Sequence, residues 1–68
     1  MGKMISCQHV NGNVYCDAYF YAKVQLDDGT VCTVRAFPHD KNKWEYVIVP
    51  RERHYEAMYT FMNLFNKK

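Results

Sequence analysis

The sequence predicts an α+β domain in which a four-stranded antiparallel sheet, a β-meander, is followed by one C-terminal helix packed on one face (ββββα). Three observations support this fold class. Apolar and polar residues alternate over residues 14–26 and again over 30–37, as they do in strands that bury one face. A short apolar run at 44–49 fits a further strand, and apolar residues then recur at helical spacing over 55–65. The length of 68 residues allows one domain, residues 1–68.

The first strand is predicted over residues 3–10, and Asn11-Gly12 directly after it is a strong hairpin signal. A two-residue turn at that point pairs Cys7 with Cys16. It puts one set of side chains on the apolar face of the sheet: Ile5, Cys7 and His9. A three-residue loop through Asn13 would instead turn the opposite set inward, and the sequence leaves this alternative open.

The second strand is predicted over residues 14–26, where every even position is apolar. At about 3.3 Å per residue it would extend roughly 43 Å, which is too long for so small a domain, so we expect a bend near residues 19–22. In the following turn, Gly29 can adopt a left-handed conformation in a G1 bulge and pair Leu26 with Thr30. This register collects the small apolar residues of both strands on one face, and a two-residue turn does not. We therefore predict the bulged turn.

The second half of the chain supplies the last strand and the helix. Residues 38–43 form a polar connection with turn chemistry. Both alternating sets of side chains in the strand 44–49 are largely apolar, and Pro50 ends it and suits the first helical position. The predicted helix buries a stripe made of Tyr55, Met58, Phe61, Met62 and Phe65, widened by Ala57 and Leu64. One helix covers one face of the sheet, which leaves the other face open.

The open face is aromatic and basic, whereas the solvated face of an antiparallel sheet is normally polar. In the bulged register it carries the candidate partner-binding residues Tyr15, Tyr19, Tyr21, Lys23, Arg35 and Phe37. Tyrosine and arginine are enriched among the residues that dominate protein–protein binding energies. The face therefore predicts a surface for a protein partner, or for a second copy of the chain packed face to face as a homodimer.

Nucleic acid is the alternative partner. Aromatic and basic side chains on one surface also serve single-stranded nucleic acids, by stacking and by phosphate contacts. Three strands followed by a helix resemble the arrangement of small DNA-binding domains that lay a sheet in the major groove, although their signature residues are absent. In this hypothesis the phosphate contacts are Arg51, Arg53, Lys67 and Lys68. A net charge of +2 is too small to favour nucleic acid by itself.

The cysteines and histidines do not form a known catalytic or metal-binding pattern. There is no Cys-x-x-Cys pair, so we expect core cysteines and no metal or other cofactor. A cysteine protease-like site needs a base beside the thiol, but His39 is predicted in a loop and His54 at the helix start. We therefore predict a protein that is not an enzyme and has no small-molecule substrate.

The remaining features concern the compartment. The chain has three cysteines, an odd number, and its first residues do not form a secretory signal, which favours reduced thiols in the cytoplasm. No apolar run approaches the roughly 20 residues that a membrane span needs. Together these observations predict a cytoplasmic binding protein that regulates or inhibits its partner by occlusion.

Overall fold

A computed structural model describes residues 2–38 and 44–66. Four antiparallel strands form one sheet in the order β1-β2-β3-β4: β1 (Lys3–Val10), β2 (Tyr19–Gln25), β3 (Val31–Pro38) and β4 (Trp44–Val49). A turn of 3-10 helix, Arg51–Arg53, leads into helix α1 (His54–Asn66). The predicted ββββα fold is confirmed. His39 and Asp40 in the predicted connection lie outside the described residues, as do Lys67 and Lys68.

The turn between β2 and β3 has the predicted bulge. The Leu26 N–H donates to the Thr30 carbonyl at 2.8 Å, and the Gly29 N–H donates to the Leu26 carbonyl at 2.9 Å. Gly29 has a φ of +91°, a backbone conformation that glycine adopts readily and that residues with a Cβ disfavour. Val24 consequently lies opposite Cys32, and the small apolar residues of both strands share one face.

The predicted hairpin at Asn11-Gly12 is wrong. Cys7 lies opposite Ala22 rather than Cys16, because residues 11–18 form a loop and β2 begins at Tyr19. The side chain of Asn13 explains the loop: its Oδ1 accepts hydrogen bonds from the N–H groups of Tyr15 and Cys16 at 2.7 and 3.0 Å. Such side-chain acceptors give the backbone an alternative to strand pairing. The chain thus avoids an overlong strand by leaving the sheet before Tyr19, without the expected bend inside β2.

A bulge at Ile5 sets the faces of β1. The register shifts between Met4 and Ser6, so Met4 lies opposite Val24 and Cys7 lies opposite Ala22, both on the helix side. Ile5 itself is 50% exposed, so its predicted inward position is wrong. Because the bulge adds one residue, even-numbered Met4 before it and odd-numbered Cys7 after it point to the same face.

The core lies between α1 and the face of the sheet that carries the small apolar residues. Its buried members are Ala22, Val24, Leu26, Cys32, Val34, Ala36, Ile48, Ala57 and Phe61. Met58 and Phe65 pack against this cluster as predicted, but Tyr55 is 70% exposed and its predicted place in the buried stripe is wrong. Phe65 extends the core, with its ring 5.0 Å from Phe20 and 5.7 Å from Trp44 between ring centres.

Arg53 ties the start of the helix to the bulged turn. Its Nη2 lies 2.6 Å from Asp28 Oδ2, and its Nη1 lies 3.0 Å from Glu56 Oε1. Hydrogen bonds from the N–H and the hydroxyl of Thr30 lower the pKa of the Asp28 carboxyl below its ordinary value, and the Arg53 guanidinium adds to that shift. The turn that sets the sheet register is therefore also a contact point for the helix.

We predict that Asp28→Asn lowers folding stability at neutral pH and has little effect in acid. Because the carboxyl has a lower pKa in the folded chain, the unfolded chain binds the proton more readily as the pH falls. The stabilisation is present above the ordinary pKa and is lost as the pH falls through the folded value. Thermal unfolding midpoints from neutral pH to about pH 2 measure this, with Asp17→Asn as a control in an exposed loop. A deficit of equal size at every pH would contradict the prediction.

Candidate functional site

The face of the sheet opposite α1, here named the outer face, is assembled from all four strands. The observed pairing and the alternation of side chains place these residues on it: Lys3, Ser6, Gln8, Val10, Tyr19, Tyr21, Lys23, Gln25, Val31, Thr33, Arg35, Phe37, Glu45, Val47 and Val49. Five of the six residues predicted to bind a partner are among them: Tyr19, Tyr21, Lys23, Arg35 and Phe37. The register of β2 and β3, set by the bulged turn, brings these five together.

Four of these side chains form a contact network, here named the aromatic cluster: Tyr19, Tyr21, Arg35 and Phe37. The rings of Tyr19 and Phe37 lie 5.1 Å apart between centres at an interplanar angle of 38°. The guanidinium carbon of Arg35 lies 5.8 Å from the ring centre of Tyr19 and 5.9 Å from that of Tyr21. A guanidinium over two aromatic rings is favourably placed for cation–π attraction. The cluster is therefore ordered by contacts within the chain itself.

The surroundings of the aromatic cluster differ on its two sides. Tyr19, Tyr21 and Phe37 are half-buried, whereas Arg35 and Lys23 are exposed. On the β1 side the neighbours include the polar residues Ser6 and Gln8, opposite Lys23 and Tyr21. On the β4 side they are the exposed Glu45, opposite Phe37, and two valines, Val47 and Val49, which are 48% and 60% exposed. The outer face thus combines aromatic, cationic and aliphatic surface without a covering element among the described residues.

Tyr15, the sixth predicted residue, is not on the outer face as a strand residue. It lies in the loop between β1 and β2 and is 89% exposed. The alternation in residues 14–18 suggested a strand, but Asn13 holds that segment in a turn. Since the loop joins the paired residues Val10 and Tyr19, Tyr15 is near the end of the sheet rather than within the aromatic cluster.

The basic residues of the alternative hypothesis are not assembled on the outer face. Arg51 and Arg53 belong to the 3-10 turn after β4, and the guanidinium of Arg53 is held by Asp28 and Glu56. Lys67 and Lys68 lie outside the described residues. The outer face instead gains a lysine that sequence analysis did not include, Lys3, opposite Gln25. Its position could not be predicted because it depends on the bulge in β1.

The predicted core position of the cysteines is right only for Cys32. Cys32 is buried, whereas Cys7 and Cys16 are exposed, and the three thiols are free. Burial raises the pKa of the Cys7 and Cys32 thiols, which keeps them protonated and weakly nucleophilic at neutral pH. Within residues 2–38 and 44–66, no group of three or more His, Cys, Asp or Glu side chains could hold a metal ion.

The histidines that the structure describes pack against aromatic rings. The ring of His9 lies 4.9 Å from that of Phe20, edge to face, and the ring of His54 lies 5.3 Å from that of Tyr55. His9 projects from the helix side of β1, opposite Phe20. These contacts give the two imidazoles a packing role, and neither of them belongs to the outer face.

In the part of the chain that the structure describes, no helix is long and apolar enough to cross a membrane. No protein-family model, curated protein or solved structure matches the chain.

Proposed function

We propose that this chain is a non-enzymatic binding protein whose outer face docks on another protein and regulates or inhibits it by occlusion. The observation that carries the proposal is the aromatic cluster, which is pre-ordered by its own contacts and lies on the face opposite the chain's only described α-helix. An aromatic sheet surface without a covering element is typical of an interaction site.

The energetics of the aromatic cluster suit a protein interface. Tyrosine supplies a large contact area with few rotatable bonds, and tyrosine and arginine are both enriched among the hot spots of well-packed interface centres. The contacts of Arg35 with Tyr19 and Tyr21 restrict the side chains before binding, which reduces the entropy lost when a partner docks. Ser6 and Gln8 toward β1 and Glu45 toward β4 would form the polar rim of such an interface. The exposed Val47 and Val49 would extend its apolar part.

The charges of the outer face indicate the chemistry of the partner surface. Lys3, Lys23 and Arg35 are cationic, and Glu45 is the carboxylate on the same face. A complementary partner therefore presents an apolar patch with carboxylates near Arg35 and Lys23. We place this interaction in the cytoplasm, because the free thiols Cys7, Cys16 and Cys32 suit a reducing compartment.

The proposal predicts that Tyr21→Ala weakens partner binding at least tenfold, the size of effect typical of a truncated interface anchor. The immobilised chain and its variant are compared by capture from a cytosolic extract, followed by affinity measurement with the captured protein. Tyr59→Ala is the matched control, since Tyr59 is 56% exposed on α1, away from the outer face. Equal loss in both variants, or no loss in Tyr21→Ala, would contradict the proposal.

The same variants distinguish a protein partner from nucleic acid. A mixed-sequence single-stranded oligonucleotide is titrated with the chain at low and at moderate salt. Binding through several phosphate contacts weakens steeply with salt, because counterions are released from the nucleic acid. If the oligonucleotide binds tightly, and if both added salt and Tyr21→Ala abolish that binding, the partner of the outer face is nucleic acid and not a protein.

A further inference from the structure

The edge of the sheet formed by β4 has backbone hydrogen-bonding groups that are not paired with any other element of the described residues 2–38 and 44–66. In antiparallel pairs, successive residues direct their N–H and C=O groups alternately to one side and the other. The hydrogen bond of Leu26 with Thr30 fixes this alternation, so Thr33, Arg35 and Phe37 bond toward β4. Their partners there are Val49, Val47 and Glu45.

The other three residues of β4 therefore direct their backbone groups away from the sheet: Trp44, Tyr46 and Ile48. Pro38, which has no N–H, lies opposite Trp44, as this pattern requires. Among the described residues, no backbone hydrogen bond joins these groups to another element. β4 thus presents a template for one more strand.

The two edges of the sheet are not equivalent. The β1 edge is broken by the bulge at Ile5 and begins with Lys3, and both features discourage pairing with another strand. The β4 edge is paired to β3 without a register shift over all six residues. Five of those residues are β-branched or aromatic, and only Glu45 is charged. Pairing with an added strand is therefore favoured at β4 and discouraged at β1.

A groove runs beside the β4 edge, where an added strand would lie. It has a volume of about 650 Å³ and is lined by Tyr46, Val47, Ile48, Val49, Arg51, His54 and Tyr55. Its walls are the edge of β4 and the first turns that lead into α1. The exposed ring of Tyr55 faces this groove rather than the core. Side chains of an added strand on the helix side would therefore find apolar and aromatic contacts.

We propose that the occupant of this edge is β4 of a second copy of the chain, antiparallel, with Val47 of both copies at the two-fold axis. Tyr46 of each copy would then exchange backbone hydrogen bonds with Ile48 of the other, using groups that are directed outward. The two sheets would join into one, with both helices on the same side. The proposal does not depend on the function proposed for the outer face.

The charges of β4 and the following turn favour this register. With Val47 on the axis, Glu45 of each copy lies opposite Val49 of the other, next to Arg51, so opposite charges are brought together. An axis at Glu45 would place two carboxylates opposite each other. An axis at Ile48 would place Pro50, which has no N–H, opposite Tyr46 in the interior of the strand, whereas the axis at Val47 places Pro50 opposite Trp44 at the strand end. The sequence of β4 is thus complementary to itself in the proposed register.

The first test is the oligomeric state of the purified chain by sedimentation equilibrium. We expect a dimer, of twice the 8.1 kDa chain mass, and at least a tenfold increase in its dissociation constant with Val47→Lys. Val31→Lys is the matched control: both valines are 48% exposed on the outer face, but Val31 lies on the inner strand β3. A monomer at high concentration overturns the proposal, and so does a dimer that both variants leave intact.

A cross-linking test addresses the register and does not depend on how well Val47→Lys folds. At a non-hydrogen-bonded pair the Cα atoms are about 4.5 Å apart, within the range that a disulfide bridges. In a Cys7→Ser, Cys16→Ser background, Val47→Cys should form a covalent dimer under mild oxidation, and Val31→Cys should not. A native dimer in which position 47 does not cross-link overturns the register. Saturable binding of an unrelated extended peptide to a monomeric chain would assign the edge to a different occupant and overturn the proposal.

Discussion

Phe61→Ala should leave a large fraction of the molecules unfolded at room temperature in the absence of denaturant. Phe61 is 1% exposed, and its ring lies 5.2 Å from that of Phe65 and 6.2 Å from that of Tyr46. Truncating a buried phenylalanine to alanine costs about 3–5 kcal/mol. A single core in a domain of this size supplies only about 3–5 kcal/mol of net stability. The two ranges overlap, so this one substitution brings the free energy of unfolding close to zero.

The measurement is urea unfolding followed by far-ultraviolet circular dichroism, for the parent chain and the variant. Tyr59→Ala on the same helix is the control for losing an aromatic ring, because Tyr59 is 56% exposed and its loss should change the midpoint little. A Phe61→Ala chain with a cooperative transition near that of the parent would show that helix and sheet are held together by other contacts.

The small residues of the sheet explain why Phe61 has this importance. Ala22, Ala36 and Cys32 are fully buried on the face that α1 covers, and so is Ala57 on the helix itself. Small side chains on both surfaces let the backbones approach and leave space that the phenylalanine ring fills. Helical spacing alone predicted Phe61 within the buried stripe, but it also predicted Tyr55, which the structure exposes. Helical periodicity identifies the side of α1 that faces the sheet. Only the packing shows which residues along that side the sheet covers.

The strand pairing was predictable where only one register placed the apolar residues of both strands on the same face. For β2 and β3, the bulged turn was the choice that placed all small apolar residues together, and β4 was bounded by Pro50. For β1 and β2, two local signals competed. Asn11-Gly12 favoured a tight hairpin, whereas Asn13 captures the N–H groups of Tyr15 and Cys16 in a wider loop. The energies of such local alternatives are similar, so the sequence pattern could not decide between them.

The part of the candidate site that depends on the register of β2 and β3 was predicted, because that register was predicted. Tyr19, Tyr21, Lys23, Arg35 and Phe37 share the outer face because β2 and β3 pair as predicted. The predicted place of Tyr15 on this face depended on the hairpin at Asn11-Gly12, which the structure does not contain. The alternation of residue types does not give the distances between side chains. It therefore could not predict that Arg35 lies beside the rings of both Tyr19 and Tyr21. The outward direction of the backbone groups of Trp44, Tyr46 and Ile48, which no other described element pairs with, likewise follows only from the observed pairing.

Gly29→Val should destabilise the fold by about 2 kcal/mol, without the loss of any side-chain contact. Gly29 has a φ of +91°, and a Cβ built there would meet no atom within 4 Å outside Gly29 and its two neighbours in the chain. The cost is therefore conformational, since a β-branched residue is strongly disfavoured at positive φ. The alternative of relaxing into a two-residue turn would shift the register by one residue and turn the apolar side chains of one strand outward. The chain should keep its register and fold with lower stability.

Gly29→Asn tests whether the positive φ is the cause of the lower stability, or whether any side chain at this position of the turn lowers it. Asparagine tolerates the left-handed region better than other non-glycine residues, so its urea midpoint should lie between those of Gly29→Val and the parent chain. Amide exchange measured by NMR would show Val24 and Cys32, which are paired in the parent, protected in both variants. If valine is tolerated as well as asparagine, the turn does not need a positive φ. The register that brings Tyr21 beside Arg35 would then have to be fixed by the buried side chains alone.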